Sequence, residues 1–504
     1  MQEESQPFVG TQYNTFGSGS NMDDLVKRDK KEMVFARLSH VFPHFLMYLF
    51  IVLPIWLFCL LPLTLICFPF KLLYGLIVPS STDKSNDLKY SNVTTISSKV
   101  ERFYDVVVFG ATGFTGRLAV KYIAKQYGTQ FKWAIAGRNK GQLEALKKEL
   151  TEINPACTVV PIIIADVGDL QSLQAMVAST SVIISTVGPF AKYGSDLVRF
   201  CSDLGTHYCD ITGEVDWVRT MIDLYDDRAK SSGARIVHCC GHDSVPWDML
   251  VLSCANQLKS KNEELREINI YDEARGSASG GTISTIFYSL ENRVQYKSML
   301  GFDPLLKSLS SSKSSNKMVI NNTMFLRYSK EFKSWCGPFI MASVNANCIK
   351  RSNAINNYST SFKYDEALLY PSFFAGFVNV MQLILFVTLL SCPPLAYIMK
   401  AYVLPKPGEG PSAEEMSKSY LNITAIAKGS HNSTVSAMIY FPDDPGYKET
   451  ARMVVESALT LLYEKNNIKV GGGVFTPASC QGNLLVKRLV DTGAYFIPMD
   501  QLRS

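Results

Sequence analysis

No CxxC pair occurs in this chain, although it holds 12 cysteines. The thiols are scattered, and no Cys/His spacing suits a metal ion. A zinc site and a disulfide framework are not expected, and a reduced compartment fits. Charge of one sign is also scarce: 50 Lys+Arg against 45 Asp+Glu leave a net charge of +5. With no basic stripe interleaved with aromatics, nucleic acid is not an expected partner. The first 30 residues are polar, which speaks against a cleavable signal peptide.

Long apolar runs, by contrast, are present. Residues 1–40 read as a disordered leader ending in the basic cluster Lys27, Arg28, Lys30, Lys31 and Arg37. Residues 41–78 are apolar, with Pro54 and Pro62 flanking the midpoint. Two limbs of about 19 residues, each roughly 28 Å long, would make a hairpin matched to a hydrocarbon core of about 30 Å. A hairpin leaves both ends on the side of the basic cluster, which is the cytosolic side. A single crossing would not. Residues 79–99 read as a polar linker.

The chain is organised around residues 104–139. A short β-branched and aromatic run reads as a buried strand. It leads into Gly110, Gly113 and Gly116, and a helical pattern follows. Strand, glycine turn and helix together form the context of a dinucleotide site. One glycine permits the tight turn, one admits the pyrophosphate, and one lets helix and strand pack closely. The helix start offers its partial positive charge to phosphate. The turn residues Gly110, Thr112, Gly113, Phe114, Thr115 and Gly116 are therefore expected to hold the cofactor.

The next strand, 132–136, runs into Gly137, Arg138 and Asn139. The carboxylate that would bind the ribose hydroxyls of NAD is missing there. An arginine pairs instead with a 2′-phosphate, so Arg138 and Asn139 favour NADP over NAD. Residues 158–165 read as a strand ending at Asp166, near the adenine. The strand 181–186 ends at Val187, Gly188 and Pro189, which are expected to line the nicotinamide end. Helix and strand then alternate to a sixth strand at 235–239.

The domains expected are thus a Rossmann domain at 100–245, an α+β domain at 246–445, and a C-terminal segment, 446–504, returning to the first. The fold class is α/β, with a doubly wound parallel sheet, a second α+β domain and membrane-associating apolar segments. The uncharged stretch 373–399, broken at Pro393-Pro394, could span a bilayer by length. A simple crossing would separate 401–504 from the body it resembles. The stretch therefore reads as a docking or re-entrant segment, or as a buried helix at an interface.

The pieces VVVFGATGFTGRL, AGRN, TVGPF, HYCDITGE, GHDSVPWD, LPKPGEGPS, DPGY and GGVFTPAS occur in one order between residues 104 and 480. By these the chain resembles the saccharopine dehydrogenase-like oxidoreductases. The resemblance implies an NADP- or NAD-dependent enzyme whose relatives act on saccharopine or, in bacteria, on enoyl lipid intermediates. It also implies association with membranes and lipid droplets, with the catalytic body in the cytosol at the endoplasmic reticulum or a droplet. A homodimer is a further expectation.

Catalytic residues are less legible. Tyr193 is a candidate proton donor. Asp210 and Glu214 could orient a polar substrate or cap the following helix. His242 sits beyond the sixth strand, next to Asp243. No Tyr-x-x-x-Lys pair stands where short-chain dehydrogenase chemistry would need it. Arg275 and Arg293 do not form the cationic cluster a dicarboxylate requires, so a lipid or other apolar substrate is favoured. The alternatives are a saccharopine-type reductase and a non-catalytic membrane protein that keeps the fold as a nucleotide-binding or scaffold module.

Overall fold

The computed structural model describes residues 102–275, 317–322, 325–406 and 408–498, with the isolated position 54. The leader, the rest of the 41–78 run, the linker and Arg293 lie outside the described residues.

The first part of the chain alternates strand and helix: β1 (Tyr104–Phe109), α1 (Phe114–Gln126), β2 (Trp133–Gly137), α2 (Lys140–Ile153), β3 (Ile162–Ile164), α3 (Leu170–Ala178), β4 (Thr180–Ser185), α4 (Ser195–Leu204), β5 (His207–Asp210), α5 (Val215–Ser232), β6 (Arg235–Val237) and α6 (Val245–Ser260). The strand runs are almost wholly apolar because helices cover both faces of the sheet. Caps mark the helix ends. Asp169 accepts from the N–H groups of Gln171 and Ser172 at the start of α3. Gly205 and Gly233 end α4 and α5 in the left-handed region, at φ +70° and +82°.

The expected strand at 158–165 is shorter in the structure. Pro155–Val159 winds into a 3-10 turn capped by Asn154, and only Ile162–Ile164 pairs with β2. In the polar-looking tail of helix α5, Asp226 and Ala229 are buried, and Asp226 accepts from Val474 N–H of the edge strand Gly473–Phe475 at 2.8 Å.

The second part contains β7 (Leu265–Arg275), β8 (Lys317–Asn322), β9 (Arg327–Ser329), β10 (Ser334–Gly337), α7 (Ala342–Asn356), β11 (Ser361–Tyr370), α8 (Phe373–Ser391), β12 (Tyr420–Gly429), β13 (Thr434–Phe441), α9 (Thr450–Tyr463), β14 (Gly473–Phe475), α10 (Asn483–Asp491) and β15 (Tyr495–Pro498).

Two sheets result. The first is parallel throughout, in the order β14-β6-β5-β4-β1-β2-β3, the 3-2-1-4-5-6 order of doubly wound dinucleotide folds with β14 added. The second is mixed, in the order β15-β13-β12-β7-β11-β10-β9, with β8 also paired to β11. The chain end serves both: β14 extends the parallel sheet and β15 the mixed one. Helix α9 lies on the parallel sheet beside α1, and buried Glu456 ties them together. It accepts from the hydroxyls of Tyr122 at 2.8 Å and Tyr127 at 2.7 Å, and from Arg488 at 2.9 Å.

Residues 371–419 leave and re-enter the mixed sheet at one end. Strand β11 runs parallel to β7 with Leu368 opposite Asp272, and β12 runs antiparallel to β7 with Tyr420 opposite Arg275. The two ends of the excursion thus stand about 10 Å apart, two strand spacings. Helix α8 is, among the described residues, the one helix long and apolar enough to cross a membrane, yet only 11% of Phe373–Leu390 is buried. The buried interface helix allowed by the sequence is not what the chain forms by itself. After the break at Cys392, the turn Pro393–Ile398 and the residues following it bring Ala396 and Leu404 against Leu390, beside Phe386.

Candidate functional site

The glycine turn is built to admit a ligand at its mouth and nothing at its base. Gly110 has φ +87°, and a Cβ there would lie 2.7 Å from Val187 Cγ2 and 2.8 Å from Thr186 Oγ1. A Cβ at Gly116 would lie 2.2 Å from the Gly110 carbonyl oxygen, so α1 can approach the turn only without a side chain. Thr186 Oγ1 donates toward the carbonyls of Phe109 and Gly110, fastening the end of β4 to the turn. Gly113 is the N-cap of α1 and makes no side-chain cap, and no acidic residue occupies the first helical turn. The first N–H groups of α1, on Phe114, Thr115 and Gly116, therefore remain for a phosphate. Thr112 lies half-buried in the turn. Phe114 packs edge-on against Tyr447 at 5.1 Å, and its ring lies against Gly410, so the LPKPGEGPS and DPGY segments flank the cradle.

The neighbouring strand ends sort the other predicted residues. Arg138 is exposed at the end of β2 and has no ion-pair partner among the described residues, leaving its guanidinium for a 2′-phosphate. Asn139 is occupied differently: its side chain accepts from Gln142 N–H at 3.1 Å and caps α2. Asp166 accepts from Gly168 N–H at 2.8 Å in the turn after β3. These residues fit a dinucleotide phosphate and its 2′-phosphate. A fit to the adenine rests on Asp166 alone.

At the far end of the cradle, Val187 leads into the cis Gly188-Pro189 bond and a single helical turn, Phe190–Tyr193. Glu214 holds that turn. Its carboxylate accepts from Phe190 N–H at 2.7 Å and Ala191 N–H at 2.8 Å. It caps the preceding turn, not the helix that follows it. Burial pushes its pKa up, opposed by those two hydrogen bonds. Tyr193 is half-buried with Lys192 Nζ over its ring at 4.9 Å.

Asp210 does not face open space. It is fully buried and accepts from Thr212 N–H and Cys239 N–H, both at 3.2 Å, while its other oxygen lies 2.7 Å from His238 Nδ1. His238, one residue beyond β6, is absent from the sequence-derived candidates. A signal existed: Cys209 pairs with Val237, so the parallel register sets Asp210 beside His238. His238 Nε2 is buried without a partner and borders a cavity of about 20 Å³, enough for one water. The Trp217 ring lies 5.1 Å from His238 and 5.6 Å from Phe190, joining this dyad to the turn after β4.

His242 follows in the loop to α6. Its N–H donates to Thr450 Oγ1 at 3.0 Å and its ring packs edge-on against Trp247 at 4.9 Å. Its Nδ1 stands 3.9 Å from Asp243 Oδ1. Among the described residues, no group of His, Cys, Asp and Glu could hold a metal ion.

Residues 106–237 match the family described as the saccharopine dehydrogenase NADP binding domain. The chain is 33% identical over 413 residues to a Mycobacterium tuberculosis protein named as a candidate trans-acting enoyl reductase, covering 78% of this chain and 96% of that relative. It is 30% identical over 417 residues to the trans-acting enoyl reductase of Mycobacterium bovis, covering 79% and 98%. Among solved structures, the apo saccharopine dehydrogenase (L-Glu forming) of Saccharomyces cerevisiae aligns at a TM-score of 0.45 and 11% identity, covering 78% of this chain and 100% of that one. The cofactor of the parallel-sheet domain is NADP.

Proposed function

This chain belongs to the saccharopine dehydrogenase-like family, and from that premise we propose that it is an NADP-dependent reductase of a lipid or other apolar substrate, working at a membrane or lipid-droplet surface with its body in the cytosol. The observation that carries this reading is the excursion 371–419 from one end of the mixed sheet, uncharged through Met399. Its helix α8 has no charged side chain, and at about 1.5 Å per residue it is roughly 28 Å long. Both ends return to the same sheet, which supports docking on, or entry into, a lipid surface without a crossing. Exposed Tyr397 and Tyr402, with Lys400 between them, suit the interfacial zone. The relatives named as enoyl reductases support an acyl substrate with a conjugated double bond.

The chain's own residues have separable tasks. The turn 110–116 holds the pyrophosphate, Arg138 the 2′-phosphate, and Glu214 sets the loop 187–191 against the nicotinamide end. Bound NADPH supplies a hydride. The test uses the full chain, NADPH and a long-chain 2-enoyl thioester, following NADPH absorbance with and without liposomes, and flotation of the protein with those liposomes. Turnover together with flotation is expected. Turnover of saccharopine precursors alone would overturn the lipid reading, and NADPH binding without turnover of either class would favour a binding module.

A further inference from the structure

Reduction of a double bond needs a proton as well as a hydride. The buried, unpartnered His242 Nε2 borders the second domain through Trp247, and beyond it lies a pair of buried carboxyls. Asp272 on β7 and Glu366 on β11 lie on adjacent strands and the same sheet face, since Glu366 pairs with Ile270 and Asp272 with Leu368. They are 0% and 2% exposed, and neither has a Lys or Arg partner among the described residues. Two carboxylates cannot both ionise in such a site, so one proton stays.

The hydrogen bonds say where. Glu366 is surrounded by donors: Tyr364 O–H gives to Oε2 at 2.6 Å and Asn345 Nδ2 to Oε1 at 2.9 Å. It is arranged as the ionised member. Asp272 Oδ1 accepts from Trp247 Nε1 at 2.9 Å, and its Oδ2 is buried without a partner. The proton therefore belongs on Asp272 Oδ2. A second observation points to a ligand there. Asn345 is fully buried, and its Oδ1, on the amide that bonds Glu366, also has no partner.

The pair is close to the cofactor loops. Trp247, which holds Asp272, carries His242 on its ring. At the start of α7, Met341 and Val344 lie against Gly213, next to the Glu214 that fixes the loop after β4. The titratable groups facing Asp272 are Glu366 and Asp243, with His242 beside Asp243. Burial first, then the charge of Glu366, pushes the Asp272 carboxyl well up, whereas the hydrogen bonds that Glu366 receives oppose the upward push of burial on it.

We propose that Asp272, held by Trp247 and faced by Glu366, is the proton donor of this active site. The assignment rests on the reductase reading above. As a carbon–carbon double bond is reduced, the carbon beside the hydride acceptor takes one proton. The O–H bond of Asp272 breaks, a C–H bond forms, and the carboxylate left behind regains its proton from water. Glu366 is the positioning residue that keeps the proton on its neighbour.

The test is infrared difference spectroscopy on the full chain, wild type against Asp272→Asn, in ordinary and heavy water. A protonated-carboxyl carbonyl band is expected at neutral pH in the wild type and lost in Asp272→Asn. In Glu366→Gln the band persists but titrates away at lower pH, because the neighbouring charge is gone. With NADPH and the 2-enoyl thioester, Asp272→Asn is expected to lower kcat by about 10²–10⁴-fold, with NADPH affinity unchanged. A wild type without the band, or a band that survives in Asp272→Asn, overturns the proposal, as does unchanged kcat in that variant. A band with no wild-type turnover overturns the substrate reading and still supports the proton on Asp272.

Discussion

Replacing Gly116 by alanine sets a Cβ 2.2 Å from the Gly110 carbonyl oxygen, 2.7 Å from Thr186 Oγ1 and 2.9 Å from the Gly110 carbonyl carbon. Two of those atoms are backbone, in the turn that must receive the pyrophosphate. They cannot swing aside as a flexible side chain would. The helix must move away from β1, and overpacking of this kind costs about 1–3 kcal/mol. At Gly113 the same added methyl meets only the Gly110 carbonyl oxygen, at 3.3 Å. A shift of a few tenths of an ångström relieves it, so folding should change by under about 0.5 kcal/mol. The methyl does stand at the mouth of the cradle. The two variants should therefore separate. Gly116→Ala lowers the melting temperature by roughly 2–12 °C, taking about 2–4 °C per kcal/mol for a domain of this size, and loses NADPH affinity with it. Gly113→Ala melts close to wild type and loses NADPH affinity alone. Thermal unfolding and calorimetric titration with NADPH measure both effects. Gly116→Ala with wild-type melting and affinity would refute the packing argument.

Glu214→Ala removes the acceptor of two backbone N–H groups. Protease cleavage within 187–194 should rise and NADPH binding should weaken, while Glu214→Asp, one methylene shorter, restores neither bond. Glu456→Ala strands Arg488 and frees two tyrosine hydroxyls, so denaturant unfolding should show a loss of about 3–5 kcal/mol. Two carboxyls have folded pKa values raised by burial: Asp248 to about 6 and Glu449 to about 7. Raised values favour the protonated folded state. Their contribution is complete below the unfolded carboxyl range and is lost as pH rises through about 6 to 7. The melting temperature should fall across that window.

Local signals carried the parallel-sheet domain. Gly110, Gly113 and Gly116 are legible because a turn, an open helix start and a helix contact each forbid or permit a Cβ in a way that leaves a mark on the sequence. The strand ends at Arg138 and Val187 follow from the same alternation. What the sequence could not resolve was long-range pairing. Asp210 reads as a ligand-orienting residue until the register brings His238 to it. Glu214 reads as a cap for the helix after it, whereas its carboxylate reaches back to Phe190 and Ala191. Asp272 and Glu366 lie far apart in the chain, on strands whose pairing nothing local announces. The strand at 158–165 was overlong because a β-branched run cannot reveal that Pro155 and Asn154 start a tight turn in front of it.

The central claim is an NADP site read by Arg138 at the end of β2. Calorimetric titration of the full chain with NADPH and NADH, wild type beside Arg138→Ala, tests it most directly. A charge-assisted bond to the 2′-phosphate contributes about 1.5–3 kcal/mol. The wild type should therefore bind NADPH more tightly than NADH, and Arg138→Ala should weaken NADPH about 10- to 150-fold while leaving NADH unchanged. Equal affinity for the two cofactors in the wild type, or an Arg138→Ala variant that binds NADPH as before, would contradict the account.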